Sequence, residues 1–158
     1  MRRLKLWTLF LVIAAASPVC AFAQVVLRWE TLPPLPEQRG LGAPFAGRSD
    51  GVLIVAGGAN FPDRPPWAGG KKLWYDAVYA LSSPEGTWSN VGKLPRPLAY
   101  GVSVSTPKGM FCIGGGDEKR HYADAFVLSY RDGHIDLTPL PPMPGPSAFA
   151  CGAILENT

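Results

Sequence analysis

Residues Gly51–Gly58 read GVLIVAGG, and residues Gly109–Gly116 read GMFCIGGG. Each stretch is a turn glycine, a short apolar run and a glycine doublet. The run is too short for a helix and has the composition of a buried strand. A glycine pair closing such a strand marks backbone that needs positive φ or comes very close to a neighbour. The flanks repeat as well. Leu35-Pro36 precedes the first copy and Leu94-Pro95 the second, and a turn leads into each (Ser49-Asp50-Gly51 and Pro107-Lys108-Gly109). After each doublet comes an aromatic strand containing Asp-Ala, WYDAVYAL at 74–81 and YADAFVL at 122–128.

The spacing gives the period. The doublets are 58 residues apart (57 to 115), whereas Asp76 and Asp124 are 48 apart and Pro95 and Pro144 are 49 apart. A unit of about 48 residues therefore recurs, and the first copy carries ten extra residues between doublet and aromatic strand. Four short strands at this period are the signature of a propeller blade, in the size range of kelch repeats. The reading is all-β: blade one over 41–91 with strands near 41–48, 52–58, 74–81 and 86–91, and blade two over 98–138 with strands near 98–105, 109–115, 122–130 and 134–138. Residues 140–158 open a third blade, its first strand running to about Leu155. Gln24–Thr31 (QVVLRWET) matches the segment around Trp88 and reads as an orphan fourth strand that pairs with the last blade of a ring. About two and a quarter blades cannot close a ring, which takes roughly 4–8. The expectation is thus an incomplete propeller, a truncated form of a longer protein, with assembly from several copies the lesser alternative.

Met1–Ala23 reads as a signal peptide: Arg2, Arg3 and Lys5 form a basic head, Leu6–Ala16 an apolar middle, and Ala21-Phe22-Ala23 a cleavage signal. The apolar run is shorter than the roughly 20 residues of a membrane span. A lipoprotein site at Cys20 is the weaker alternative. The segment carries the whole formal charge excess of +3, so the mature chain would be neutral. Nothing then argues for nucleic acid or an anionic membrane as partner. The protein is expected to be exported, periplasmic or secreted. Two cysteines outlast cleavage, Cys112 and Cys151; they are either a disulfide, which export permits, or two small buried residues.

In an antiparallel blade, the turn between strands two and three opens on the same rim as the link to the next blade. Three groups should therefore converge: the long loop Ala59–Leu73 (ANFPDRPPWAGGKKL), the short loop Asp117–His121 (DEKRH), and the Leu-Pro links carrying Arg39 and Arg96. Arg39, Arg96 and Arg120 are either carboxylate-binding forks or solvated surface arginines. Trp67 and Phe61 form either an apolar wall for a sugar ring or packing for the loop. His121 carries an imidazole, which suits proton transfer, with Asp117 and Glu118 as acid and base partners, against structural and solvated readings of each. Asp76 and Asp124, at equivalent repeat positions, are expected to cap turn amides, and Trp29 and Trp88 to pack within blades. The sequence has no P-loop, CxxC, HExxH or GxSxG motif. His121 and His134 lie in different loops, which argues against a metal centre.

The stretches GGANFPDRPPWAGGKKLWYD (57–76), KLPRPLAYGVSVST (93–106) and GGGDEKRHYADAFVL (114–128) resemble the kelch-type sialic acid mutarotases, also called N-acetylneuraminate epimerases, especially their cyclically permuted branch. The resemblance covers nearly all of the mature chain and corresponds to the N-terminal part of such proteins, which are roughly twice as long. It implies a six-bladed ring and exchange between the α and β anomers of N-acetylneuraminic acid outside the cytoplasm, without a cofactor. It also implies a glutamate general base, which no residue of this sequence matches. Under it, Arg96 and Arg120 would meet the sugar carboxylate, His121 and Asp117 would handle protons, and Asn60 and Trp67 would hold the sugar. The alternative is a kelch module that binds a glycan or protein without catalysis.

Overall fold

The computed structural model describes residues 27–155. The expected signal peptide and the first residues of the orphan strand lie outside them. Residues 27–30 group apart from Thr31 onward, which forms one compact unit. They carry no strand, and Trp29, expected to pack in a blade, is 90% exposed.

The elements in chain order are β1 (Phe45–Ser49), β2 (Val52–Ala56), β3 (Ala59–Asn60), a 3-10 turn at Pro66–Ala68, β4 (Leu73–Trp74), β5 (Ala77–Leu81), β6 (Ser89–Lys93), β7 (Val102–Thr106), β8 (Gly109–Ile113), β9 (Ala125–Arg131) and β10 (His134–Leu140). Two antiparallel four-stranded sheets result, β1-β2-β5-β6 and β7-β8-β9-β10, with β3-β4 a short ribbon inside the long loop. These are two blades of a kelch-type propeller, side by side and not closed into a ring.

One apolar core serves both blades. Phe45, Ile54 and Val78 of the first are fully buried together with Met110, Cys112 and Leu128 of the second. Phe45 meets Phe126 edge to face at 5.8 Å. The central strands β2 and β5 are apolar almost without alternation because both of their faces are covered. The outer edge of β1 would otherwise present unpaired amides. Serines from β7 cover it: Ala46 N donates to Ser103 Oγ (3.0 Å), Ser103 Oγ donates back to Ala46 O (2.9 Å), and Arg48 N donates to Ser105 Oγ (2.8 Å). Gly47 allows this approach, since a Cβ there would lie 2.7 Å from Ser105 Oγ and 2.8 Å from Met110 Sδ.

The doublets do what strand-end glycines are expected to do, but in a register one residue from the expected one. Gly57 and Gly114 share φ 66°, and Gly58 and Gly115 have φ 101° and 98°. Gly58 N donates to Leu98 O and Gly115 N to Ser147 O, both at 2.8 Å. A Cβ on Gly57 or Gly114 would collide with those same carbonyls. The equivalent glycines are thus 57 apart, not 58, because Gly51 lies in a turn while Gly109 already opens β8. The same shift separates the two aspartates. Leu94 N donates to Asp76 O and Met143 N to Ala123 O, so Ala123, not Asp124, is the counterpart of Asp76.

The first strand of each blade begins later than the apolar pattern suggests, at Phe45 and Val102. The residues before them, Ala43 and Tyr100, have φ 48° and 66°, a conformation that halts a strand. Phe149 repeats it with φ 58°. Residues 141–155, expected to start a third blade, form no strand, since no partner strand is present for them among the described residues. Cys112 is buried and Cys151 exposed, and both are free thiols. Burial pushes the Cys112 thiol well above its ordinary pKa.

Candidate functional site

The loops and links form one hydrogen-bonded rim. Besides the doublet contacts, Leu98 N donates to Tyr75 O (3.1 Å), Ser147 N to Tyr122 O (3.1 Å), and Ala99 and Gly116 exchange both of their bonds. Tyr100 N donates to Ala43 O (2.9 Å) and Phe149 N to Tyr100 O (2.8 Å), so the three residues of positive φ form a chain from one unit to the next. Left-handed backbone costs an L-residue about 1–2 kcal/mol. Three repeats of it in non-glycine residues mean that the surrounding bonds hold this edge in place.

The expected site residues divide by what already holds them. Asp117 accepts hydrogen bonds from the Lys119 and Arg120 amides (2.7 and 3.0 Å) and from the Tyr122 hydroxyl (2.5 Å). The Tyr122 bond, followed by the two amide bonds, holds its carboxyl below the usual carboxylate range, so Asp117 is a weak base that shapes the loop. Asn60 is buried, with Nδ2 donating to Gly40 O (2.7 Å) and Oδ1 accepting from Tyr75 Oη (2.7 Å). Both ends of its amide are therefore used, one tying the long loop to the preceding link and the other to Tyr75 just after the loop. Arg96 is ion-paired with Asp124 and lies over the Tyr122 ring, 4.5 Å from its centroid. Asp124, and Asp76 through Lys93 at 3.6 Å, thus pair with basic side chains instead of capping turns. Arg39 reaches Asp63 O at 3.4 Å.

Other expected residues keep their functional groups open. Arg120 also lies over the Tyr122 ring, 4.9 Å from its centroid, and is solvent-exposed. Trp67 stands on the 3-10 turn, 87% exposed. His121 is exposed and meets the ring of Phe149 edge to face at 5.8 Å. Phe149 in turn packs on Tyr100 at 4.4 Å.

Lys72, not among the expected site residues, is central to this rim. Its Nζ lies 4.7 Å from the Tyr100 ring centroid, 5.4 Å from that of Trp74 and 5.6 Å from that of Phe61, and donates to Tyr100 Oη. The Trp74 indole N–H beside it is buried without a partner. Lys72, Tyr100, Phe149 and His121 therefore follow one another along the rim, contributed by the long loop, both links and the short loop. Among the described residues, no group of three or more His, Cys, Asp and Glu is arranged to hold a metal.

The N-acetylneuraminate epimerase family model matches residues 14–137. The chain belongs to this family. N-acetylneuraminate epimerase of Salmonella enteritidis is 40% identical over 122 residues, and that of Salmonella arizonae is 44% identical over the same length. The matches cover 69% of this chain and 31% of each relative. The Vibrio cholerae epimerase is 38% identical over 125 residues, covering 69% of this chain and 32% of that one. The chain thus spans about a third of the curated epimerases that it matches. Among solved structures, that of YjhT matches with a TM-score of 0.62 and 25% identity, over 70% of this chain and 34% of the other. The matched residues 14–137 include both loops of the rim, 59–73 and 117–121.

Proposed function

We propose that this rim binds N-acetylneuraminic acid and takes part in exchange between its α and β anomers. One observation carries the reading: in a member of the epimerase family, Lys72, Tyr100, Phe149 and His121, drawn from the long loop, both links and the short loop, follow one another along a single edge. Anomer exchange opens the sugar ring. A proton leaves the anomeric hydroxyl, the bond from the anomeric carbon to the ring oxygen breaks as that oxygen gains a proton, and reclosure on the other face reverses both transfers. His121 is the proton-exchanging group in this proposal, being the one imidazole on the rim among the described residues. Arg120 and Trp67 flank the sugar. Asp117, Asn60 and Arg96 act as positioning residues through the bonds they already make. The basic head and apolar run of Met1–Ala23 support a place of action outside the cytoplasm.

The test is two-dimensional NMR exchange spectroscopy of N-acetylneuraminic acid with increasing amounts of the chain. The expected result is an α/β exchange rate that rises with protein concentration and falls at least tenfold in His121→Ala. Broadening of the sugar signals at the spontaneous exchange rate would replace catalysis with binding alone. Unchanged spectra would reject the proposal.

A further inference from the structure

The geometry points to Lys72, together with the Tyr100 hydroxyl, as the group that receives the carboxylate of the sugar acid; this rests on the proposed reading of the rim. A lysine ammonium has three N–H donors. Lys72 gives one to Tyr100 Oη, and the other two have no acceptor among the described residues. The three rings around the ammonium attract the cation through their faces but offer no lone pairs in exchange. Among the described residues, no carboxylate lies within ion-pair distance of Lys72. Tyr100 accepts from Lys72, so its own O–H remains to donate. Three donors and an unneutralised positive charge are thereby collected at one point, held by aromatic walls. A carboxylate has the acceptors and the charge to match.

The two arginines expected in this role are held differently. Arg96 is neutralised by Asp124. Arg120 lies in solvent beyond Tyr122, where an ion pair is weak. Lys72 also has the better neighbours for the rest of the ligand. The exposed ring of Phe149 packs on Tyr100, and His121 meets Phe149 in turn. The carboxylate of the sugar acid is bonded directly to its anomeric carbon, so anchoring on Lys72 and Tyr100 sets the anomeric centre beside Tyr100, with Phe149 next along the rim.

The test is titration of the full chain with N-acetylneuraminic acid and with its methyl ester, which keeps the sugar and removes the negative charge. The unaltered chain is expected to bind the acid about tenfold more tightly than the ester. Lys72→Met should abolish that preference while still binding the ester, which shows that the variant is folded. Lys72→Arg should restore most of it, and Tyr100→Phe should weaken it about threefold. If acid and ester bind the unaltered chain equally, or if Lys72→Met keeps the preference and Arg120→Met loses it, the assignment is overturned and sugar binding at the rim stands. Failure of the unaltered chain to bind either compound would overturn the assignment and the reading beneath it together.

Discussion

The two loops that follow the glycine doublets begin alike and then diverge. Gly57-Gly58 and Gly114-Gly115 have matching backbone angles and matching bonds to the next link. Beyond them, the loop of blade two turns in a few residues around the Asp117 carboxylate. The loop of blade one runs through a ribbon and a 3-10 turn before it rejoins the sheet, and brings Phe61, Lys72 and Trp74 to the rim on the way. The start of each loop is fixed by close backbone contact and admits only glycine. The remainder of each loop is free to vary, and there the chemically distinctive residues collect.

Replacing the shared part should have the largest effect. Gly57→Ala and Gly114→Ala each combine positive φ with a collision against a carbonyl, at Leu98 and Ser147, and should cost roughly 3 kcal/mol or more in denaturant unfolding. Gly133→Ala has comparable φ, 84°, but open space, and should cost only about 1 kcal/mol. Equal losses at all three positions would mean that backbone angle, not close approach, sets the doublets.

The ion pairs sharpen the same comparison at smaller scale. Arg96 bonds Asp124 and covers Tyr122, so Arg96→Ala should cost about 1 kcal/mol. Lys93 meets Asp76 at 3.6 Å in solvent, and Lys93→Ala should cost less than about 0.5 kcal/mol in the same assay.

The smallest effect is local and depends on pH. The Asp117 carboxyl titrates below its ordinary value, chiefly through the Tyr122 hydroxyl. Its contribution to loop order is therefore complete above about pH 4 and is lost as pH falls through the lower folded value. The protection factors of the Lys119 and Arg120 amides, taken against the intrinsic exchange rate at each pH, should fall on that descent, and Asp117→Asn should remove the transition. The long loop has no such carboxylate turn and should show no corresponding step.

The blades are legible in the sequence because burial and backbone geometry leave marks at fixed spacing: apolar runs of strand length, closing glycines, and recurring Leu-Pro links. The one-residue slip in register comes from Gly51 and Gly109, which look alike but occupy a turn and a strand. The late strand starts are hidden because Ala43, Tyr100 and Phe149 are not residues that signal positive φ. On the rim, sequence logic identifies the loops more readily than the roles. Asp117 and Asn60 carry groups suited to chemistry, yet both are taken up by neighbours that only folding supplies. Lys72 is inconspicuous in the sequence for the converse reason: Phe61, Trp74 and Tyr100 come from separate segments, and nothing local announces that they will surround it.

The most direct test of the central claim, that one rim receives the sugar acid, is a map of backbone amide shifts during titration with N-acetylneuraminic acid. Shifts are expected at Lys72, Tyr100, His121 and Phe149, with none at the opposite-end turns Asp50-Gly51 and Asp132-Gly133. Shifts confined to those opposite turns, or spread evenly over both ends, would contradict the claim.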